Sequence, residues 1–259
     1  MPKPISIKLI FISLLIGFFF YSCSSSKTTT TNSKAGVVIT FDDYFVNEWK
    51  EAHAQLEKYN WKATFCVSNF EKLTATDISN LKELQNKGHE IAGHGFRHIN
   101  AKEFAKKNNK QQYLAVEIFP LIEAFKKEGI EINSFAYPFG AKTQTLDYEL
   151  QKHFKIIRGT AKGGKKVADN ANFYNGTRLA NGIGIDSNYE HFNLNYITKI
   201  LNYAKKHNKI VVFYGHKPVG KATKEYEVEL KTLEMICQFV VSNQMKFYTL
   251  KELNSLKKQ

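Results

Sequence analysis

Two apolar spacings alternate along the chain from about residue 36 to about residue 250. Short, mostly apolar stretches at 37–41 (VVITF), 63–67 (ATFCV), 91–94, 132–137, 155–158, 210–214 (IVVFY) and 246–249 read as buried strands. Between them apolar residues return every three or four positions, as in Trp49, Ala52, Leu56 and Tyr59, or Ile78, Leu81 and Leu84 with Gly88 as a stop. This predicts helices over about 47–59, 77–87, 109–128, 145–153, 194–207 and 224–242, the third kinked near Pro120. Repeated strand–helix units put parallel strands beneath covering helices, so the fold class is α/β, either a distorted barrel or an open wound sheet. Residues 159–190 are rich in Gly, Asn and Lys, with a short extended piece at 174–179. They read as loop at the rim, where loops shape a substrate groove. No internal repeat or second linker divides residues 35–259, which fit a single domain.

The first 34 residues follow neither spacing. Lys3 and Lys8 precede an apolar run at 9–21, then Ser22 and Cys23. A basic start and a short apolar stretch read as an export signal before a spanning helix. The end, FFYSC, resembles a lipoprotein signal: residues 1–22 are expected to be removed and Cys23 to carry the lipid that anchors the chain to a membrane of the cell envelope. Phe20 and Tyr21 stand where Leu and a small residue are more usual, so an ordinary signal or an uncleaved anchor is the alternative. Residues 24–34 contain no apolar side chain and are expected to form a flexible tether, which makes 23–34 a lipid-anchored linker.

Charge changes this picture little. The chain carries +13, or +11 without Lys3 and Lys8, but its arginines are only Arg97, Arg158 and Arg178. Phosphate and base recognition lean on arginine, so the surplus reads as lysine-rich composition and no nucleic-acid partner is expected. Cys66 and Cys237 lie in apolar stretches and read as small core residues rather than a disulfide. A monomer is expected.

Candidate chemistry concentrates at 88–100, GHEIAGHGFRHIN. His94 and His98 stand four apart and can converge on one metal ion, although histidines are as often satisfied polar residues. His89 and Glu90 do not complete a zinc-protease helix, because Gly93 holds the place of its second histidine. The run at 37–43 ends in Asp42 and Asp43, where α/β folds build their sites. Adjacent strand residues point to opposite sides, so one carboxylate can bind metal and the other act as base; the alternative is that both cap the next helix. Tyr137–Gly140 (YPFG) is a turn that suits a backbone N–H aimed at a ligand, or an ordinary strand-end turn. His216 follows a buried strand and is either a general acid or a loop histidine.

The order of these motifs carries a resemblance. TFDD, then His-x-x-x-His about fifty residues on, then YPFG, then an apolar strand ending in His216, is similar to the polysaccharide deacetylases of carbohydrate esterase family 4, from about Val37 to about Leu250. The resemblance implies a distorted (β/α) barrel of seven parallel strands. It implies that Asp43, His94 and His98 hold a divalent ion, zinc being the expected one, that Asp42 is the base, that the Phe139 N–H helps hold the oxyanion, and that His216 is the proton donor. The reaction implied is removal of N-acetyl groups from a glycan, with release of acetate.

Three departures from the family pattern bear on this. Gly95 replaces a Ser or Thr whose hydrogen bond steadies the metal loop. Tyr44 stands where a glycine usually follows the two aspartates, and is expected to narrow the site. Ala136 occupies the place of an arginine that pairs with the base, for which Arg158, at the end of the next strand, is the candidate replacement. The rival readings are an O-acetyl esterase, and a non-catalytic surface protein that binds glycans on the same fold.

Overall fold

Seven parallel strands close on themselves: β1 (Gly36–Asp43), β2 (Thr64–Val67), β3 (Glu90–Gly93), β4 (Ser134–Ala136), β5 (Ile156–Ala161), β6 (Leu179–Gly184) and β7 (Ile210–Gly215). Each pairs with the next, and β7 returns to β1 in the register Gly36↔Ile210 to Phe41↔Gly215. The chain is described by a computed structural model covering Met1 and residues 35–164 and 166–256. The expected leader after Met1 and the whole of the expected tether, 23–34, therefore lie outside the described residues.

The barrel has two apolar layers, and strand periodicity decides which side chain enters each. On β1, Val37, Ile39 and Phe41 pack outward with Trp49, Leu81 and Ile236 from the covering helices. Val38 faces the interior, and Thr40 and Asp42 follow it on the same side. Inside, Cys66, Ala92, Ala136 and Ala180 are small. That leaves space higher in the barrel for Arg158 and the site. Tyr248, Leu250 and Leu253 complete the inner cluster, and the backbone N–H of Leu250 donates to Thr64 Oγ1 at 3.0 Å. Cys66 and Cys237 are buried and unpaired.

Four expectations change. The sixth barrel strand, β6, lies inside the segment read as loop. Its sequence, LANGIG, lacks the β-branched run of a usual strand because its glycines make room: a Cβ on Gly182 would stand 3.1 Å from the Tyr214 ring, and one on Gly184 would enter the Tyr189 ring. The run at 246–249 is not a member of the closed ring. Its strand, Lys246–Tyr248, pairs only with Gly36–Val38, below the point where β2 joins β1 at Thr40. The last long helix starts at Leu230, since Lys217–Val219 (β8) and Glu227–Glu229 (β9) form a separate two-stranded sheet. The expected kink at Pro120 takes the form of a π turn, Leu114–Ile118, between the helical pieces Lys110–Tyr113 and Phe119–Lys127.

Two further histidines are structural. Ala63 N–H donates to His89 Nδ1 at 3.0 Å, which leaves the ring proton on Nε2, facing His53 Nδ1 at 2.8 Å. Burial, and after it the neighbouring His53, lowers His89 to about 3. In the unfolded chain His89 titrates near about 6.5, so that state binds the extra proton and stability falls as pH drops from about 6.5 toward about 3. His89→Gln keeps an acceptor for Ala63 and does not titrate. Its thermal midpoint is expected to fall less than the wild type's between about pH 7 and about pH 5. Parallel declines would refute the assignment.

Candidate active site

Asp43, His94 and His98 meet at the upper rim of the barrel, with one ligand atom from each within 4.8 Å of the others. His94 follows β3, and its Nδ1 lies 2.9 Å from the Ala136 carbonyl, so Nδ1 carries the proton and Nε2 presents its lone pair. From His94 Nε2 to His98 Nε2 is 3.2 Å, from His98 Nε2 to Asp43 Oδ1 3.3 Å, and from His94 Nε2 to Asp43 Oδ1 3.8 Å. A tetrahedral ion with metal–nitrogen bonds of about 2.0–2.1 Å sets its ligands about 3.3–3.4 Å apart. The donor set therefore fits a divalent ion of the zinc type. Burial lowers His94, and burial followed by the adjacent His94 lowers His98 to about 4, so both rings are neutral near pH 7 and able to ligate.

Unusual backbone geometry aims these groups. Asp43 has φ 85°, His98 φ 60° and Phe139 φ 60°, all in the left-handed region that side chains disfavour. Such strain costs on the order of 1–3 kcal/mol per residue and gathers at functional sites. For Asp43 it cancels the strand rule, because both neighbouring carboxylates now open on one cavity.

Asp42 is buried, and Arg158 Nη2 donates to both its carboxylate oxygens at 2.5 Å. Ala136 and Arg158 are register partners across β4 and β5, so Arg158 reaches Asp42 from the position beside Ala136. The guanidinium also lies 5.0 Å from the centre of the Tyr214 ring. Burial pushes the Asp42 carboxyl up, but Arg158, then His94 and His216, outweigh it and hold the group below the usual carboxylate range.

His216 leaves the top of β7. Its Nδ1 lies 2.6 Å from Asp186 Oδ2, and its backbone N–H donates to Asp186 Oδ1 at 3.0 Å. That fixes the proton on Nδ1 and turns Nε2 toward the cavity. Burial alone would lower this histidine, but the bond to Asp186 and its charge win, and the net shift is upward. Asp186 is fully buried and was not anticipated. The signal was present in the apolar stretch 183–185 ending in an acid, the same strand-end pattern as TFDD, and was lost when this segment was read as loop.

These groups line a cavity of about 320 Å³ that Phe139, Thr160, Tyr189, Tyr214 and Tyr226 complete. Phe139 stands at its lip, largely exposed, with its ring 4.6 Å from that of His98. A wider groove of about 1020 Å³ shares Phe139, Tyr189 and Tyr214 with it and continues past Lys102, Lys142 and Lys162. Tyr44 does not narrow the site. It stacks on Phe45 at 5.6 Å, under the Lys72 ammonium, and is not part of the cavity wall.

The resemblance read from the sequence is borne out. The family model described as polysaccharide deacetylase matches residues 29–154. A search of curated proteins finds no match. Among solved structures, the Xyl-CE4 domain of a multidomain xylanase from the hindgut metagenome of Trinervitermes trinervoides is 17% identical with a TM-score of 0.56, over 86% of this chain and 91% of that one. The catalytic domain of peptidoglycan N-acetylglucosamine deacetylase from Eubacterium rectale is 17% identical with a TM-score of 0.55, over 89% and 97%. A family 4 acetyl xylan esterase from Clostridium thermocellum, in complex with a cobalt ion, is 19% identical with a TM-score of 0.56, over 85% and 90%. At these identities the likeness is one of fold, and the fold is the (β/α) barrel of seven strands.

Proposed function

We propose that the chain is a metal-dependent hydrolase that removes N-acetyl groups from an amino-sugar polysaccharide or oligosaccharide and releases acetate. The observation that carries this reading is the meeting, in one cavity, of a metal-fitting triad, an arginine-held carboxylate and an aspartate-held histidine. Asp43, His94 and His98 would hold the ion, zinc being the ion the donor set suits best. A divalent ion in such a site acidifies water and polarises a carbonyl. Asp42, kept ionised by Arg158, takes the proton of the attacking water as the new carbon–oxygen bond forms. The Phe139 N–H helps hold the oxyanion. When the carbon–nitrogen bond breaks, His216 gives the departing nitrogen its proton, a role suited to a histidine whose pKa is raised by Asp186. The products are acetate and a free amino sugar.

An O-acetyl esterase would use the same groups on a better leaving group. A purely binding role is less well supported, because Arg158 takes the place of the missing arginine and Tyr44 stands outside the cavity. Acetate released from N-acetylated and from O-acetylated glycans distinguishes the three: N-acetyl release is expected to dominate. Release from O-acetylated glycan alone favours the esterase, and none from either leaves only binding.

The N-terminal sequence supports a cellular place for this activity. Residues 1–22 act as the signal, Cys23 as the lipidated membrane anchor and 23–34 as the tether, with a monomeric domain working in the cell envelope. Among the described residues no helix is long and apolar enough to cross a membrane. Each buried lipid methylene contributes about 0.8 kcal/mol, so two or more chains hold firmly. Cys23→Ala is expected to move the protein out of the membrane fraction or leave the precursor uncleaved. A cleaved protein that stays in the membrane fraction would rule out lipidation.

A further inference from the structure

The turn that carries His98 is short, left-handed at His98 itself, and lacks the serine or threonine that would steady it. Its support comes from elsewhere. Glu117 is completely buried and is presented by the π turn Leu114–Ile118, a type of distortion that often marks functional positions in helices. The Arg97 N–H donates to Glu117 Oε1 at 3.0 Å, and the Phe96 N–H donates to the Glu117 carbonyl at 3.1 Å. The amides of Ile99 and His98 lie near the same carboxylate without completing hydrogen bonds, and its Oε2 has no hydrogen-bond partner. Of four consecutive amides, 96–99, two thus donate to one residue and two lie beside it. The second carboxylate oxygen occupies the space beside Gly95: a Cβ there would collide with Glu117 Oε2, so the glycine and the glutamate fit as a pair. Gly95 has φ +83°, which suits glycine for a second reason.

We infer that Glu117 is the positioning residue of the metal triad, a buried carboxylate that holds the 96–99 backbone so that the His98 ring meets His94 and Asp43. This rests on the reading of those three residues as a metal site. The absence of a side chain at position 95 is what makes room for the Glu117 carboxylate. Glu117 belongs neither to the cavity wall nor to the ligand triad. It acts through the backbone, so its loss should loosen the geometry of one ligand rather than remove a ligand.

The test is titration of metal-stripped protein with Zn²⁺ against a chromogenic chelator, on wild type, Glu117→Ala, Glu117→Gln and Glu117→Met, with the visible spectrum of the Co²⁺ form recorded for each. Removing a supporting group behind a ligand typically weakens metal binding about 10–100-fold. Glu117→Ala is expected to fall in that range and to change the Co²⁺ spectrum, which reports coordination geometry. Glu117→Gln keeps the size and one acceptor for Arg97 and is expected to recover part of the loss. Glu117→Met, of similar size and without an oxygen acceptor, decides the matter if the alanine variant fails to fold: Zn²⁺ affinity and a Co²⁺ spectrum equal to wild type in it would then overturn the inference. Where Glu117→Ala folds, wild-type affinity and spectrum in it overturn the inference alone. A wild-type protein that binds no Zn²⁺ at all overturns the metal site, and this role with it.

Discussion

Asp42→Asn is expected to keep its metal and lose about 100-fold or more in turnover, the range for removing general acid–base help. The substitution preserves shape but removes the charge that pairs with Arg158 as well as the ability to accept a proton, so it is assayed well below its thermal midpoint; Asp42 is not one of the three groups that fit the ion. Its partner tests the same idea through pH. In the wild type Arg158 opposes the upward push of burial on Asp42. With Arg158→Met that opposition is gone, so the Asp42 pKa rises. The acidic limb of the kcat/KM profile should then move to higher pH, because a base must be ionised to work. Breaking a buried ion pair also destabilises, by about 3–5 kcal/mol, so the variant is assayed well below its thermal midpoint. An Asp42→Asn protein that turns over normally, or that has lost its metal, contradicts the assignment.

The second large effect is on the metal itself. His94→Ala and His98→Ala each remove one of three ligand atoms, Asp43→Asn weakens the third, and all are expected to lose metal affinity by more than the about 10–100-fold typical of supporting groups, and activity with it. The three come from two strand ends, Asp43 from β1 and both histidines from the segment after β3, above an apolar core that does not include them. A cooperative thermal transition should therefore survive in each. Asp43→Asn is the most informative of the set, since a neutral amide is a poorer donor to a divalent ion than a carboxylate. Set beside Asp42→Asn, it separates two adjacent residues of the same type: one variant without metal, the other with metal and without turnover. Full metal occupancy in any of the three ligand variants refutes the triad.

Legibility in the sequence followed from how far each residue's surroundings are local. β1 and β7 are buried on both faces, so their runs VVITF and IVVFY announce strands, and the acid or histidine at each end is read with them. β6 is also a barrel strand, yet Gly182 and Gly184 give up side chains to Tyr214 and Tyr189. A sequence shaped by what it must leave room for looks like loop, and Asp186 disappeared with it. Arg158 could be named as a candidate from the expected strand end at 158, although β5 runs on to Ala161, but its partnership with Asp42 depends on the register Ala136↔Arg158, a relation between strands. The aim of Asp43 depends on a backbone angle, φ 85°, that nothing in Asp-Asp-Tyr announces. Glu117 lies about twenty residues from the loop it supports, on a helix whose π turn no periodicity reveals.

The central claim is that this barrel removes acetyl groups with a metal held by Asp43, His94 and His98. Its most direct test is acetate release from an N-acetylated amino-sugar oligosaccharide by wild-type protein, first stripped with a chelator and then reloaded with stoichiometric Zn²⁺. The account predicts that the stripped protein stays folded and releases no acetate, and that reloading restores release in wild type but not in His98→Ala. Undiminished release by the stripped protein, or equal restoration in His98→Ala, would contradict it.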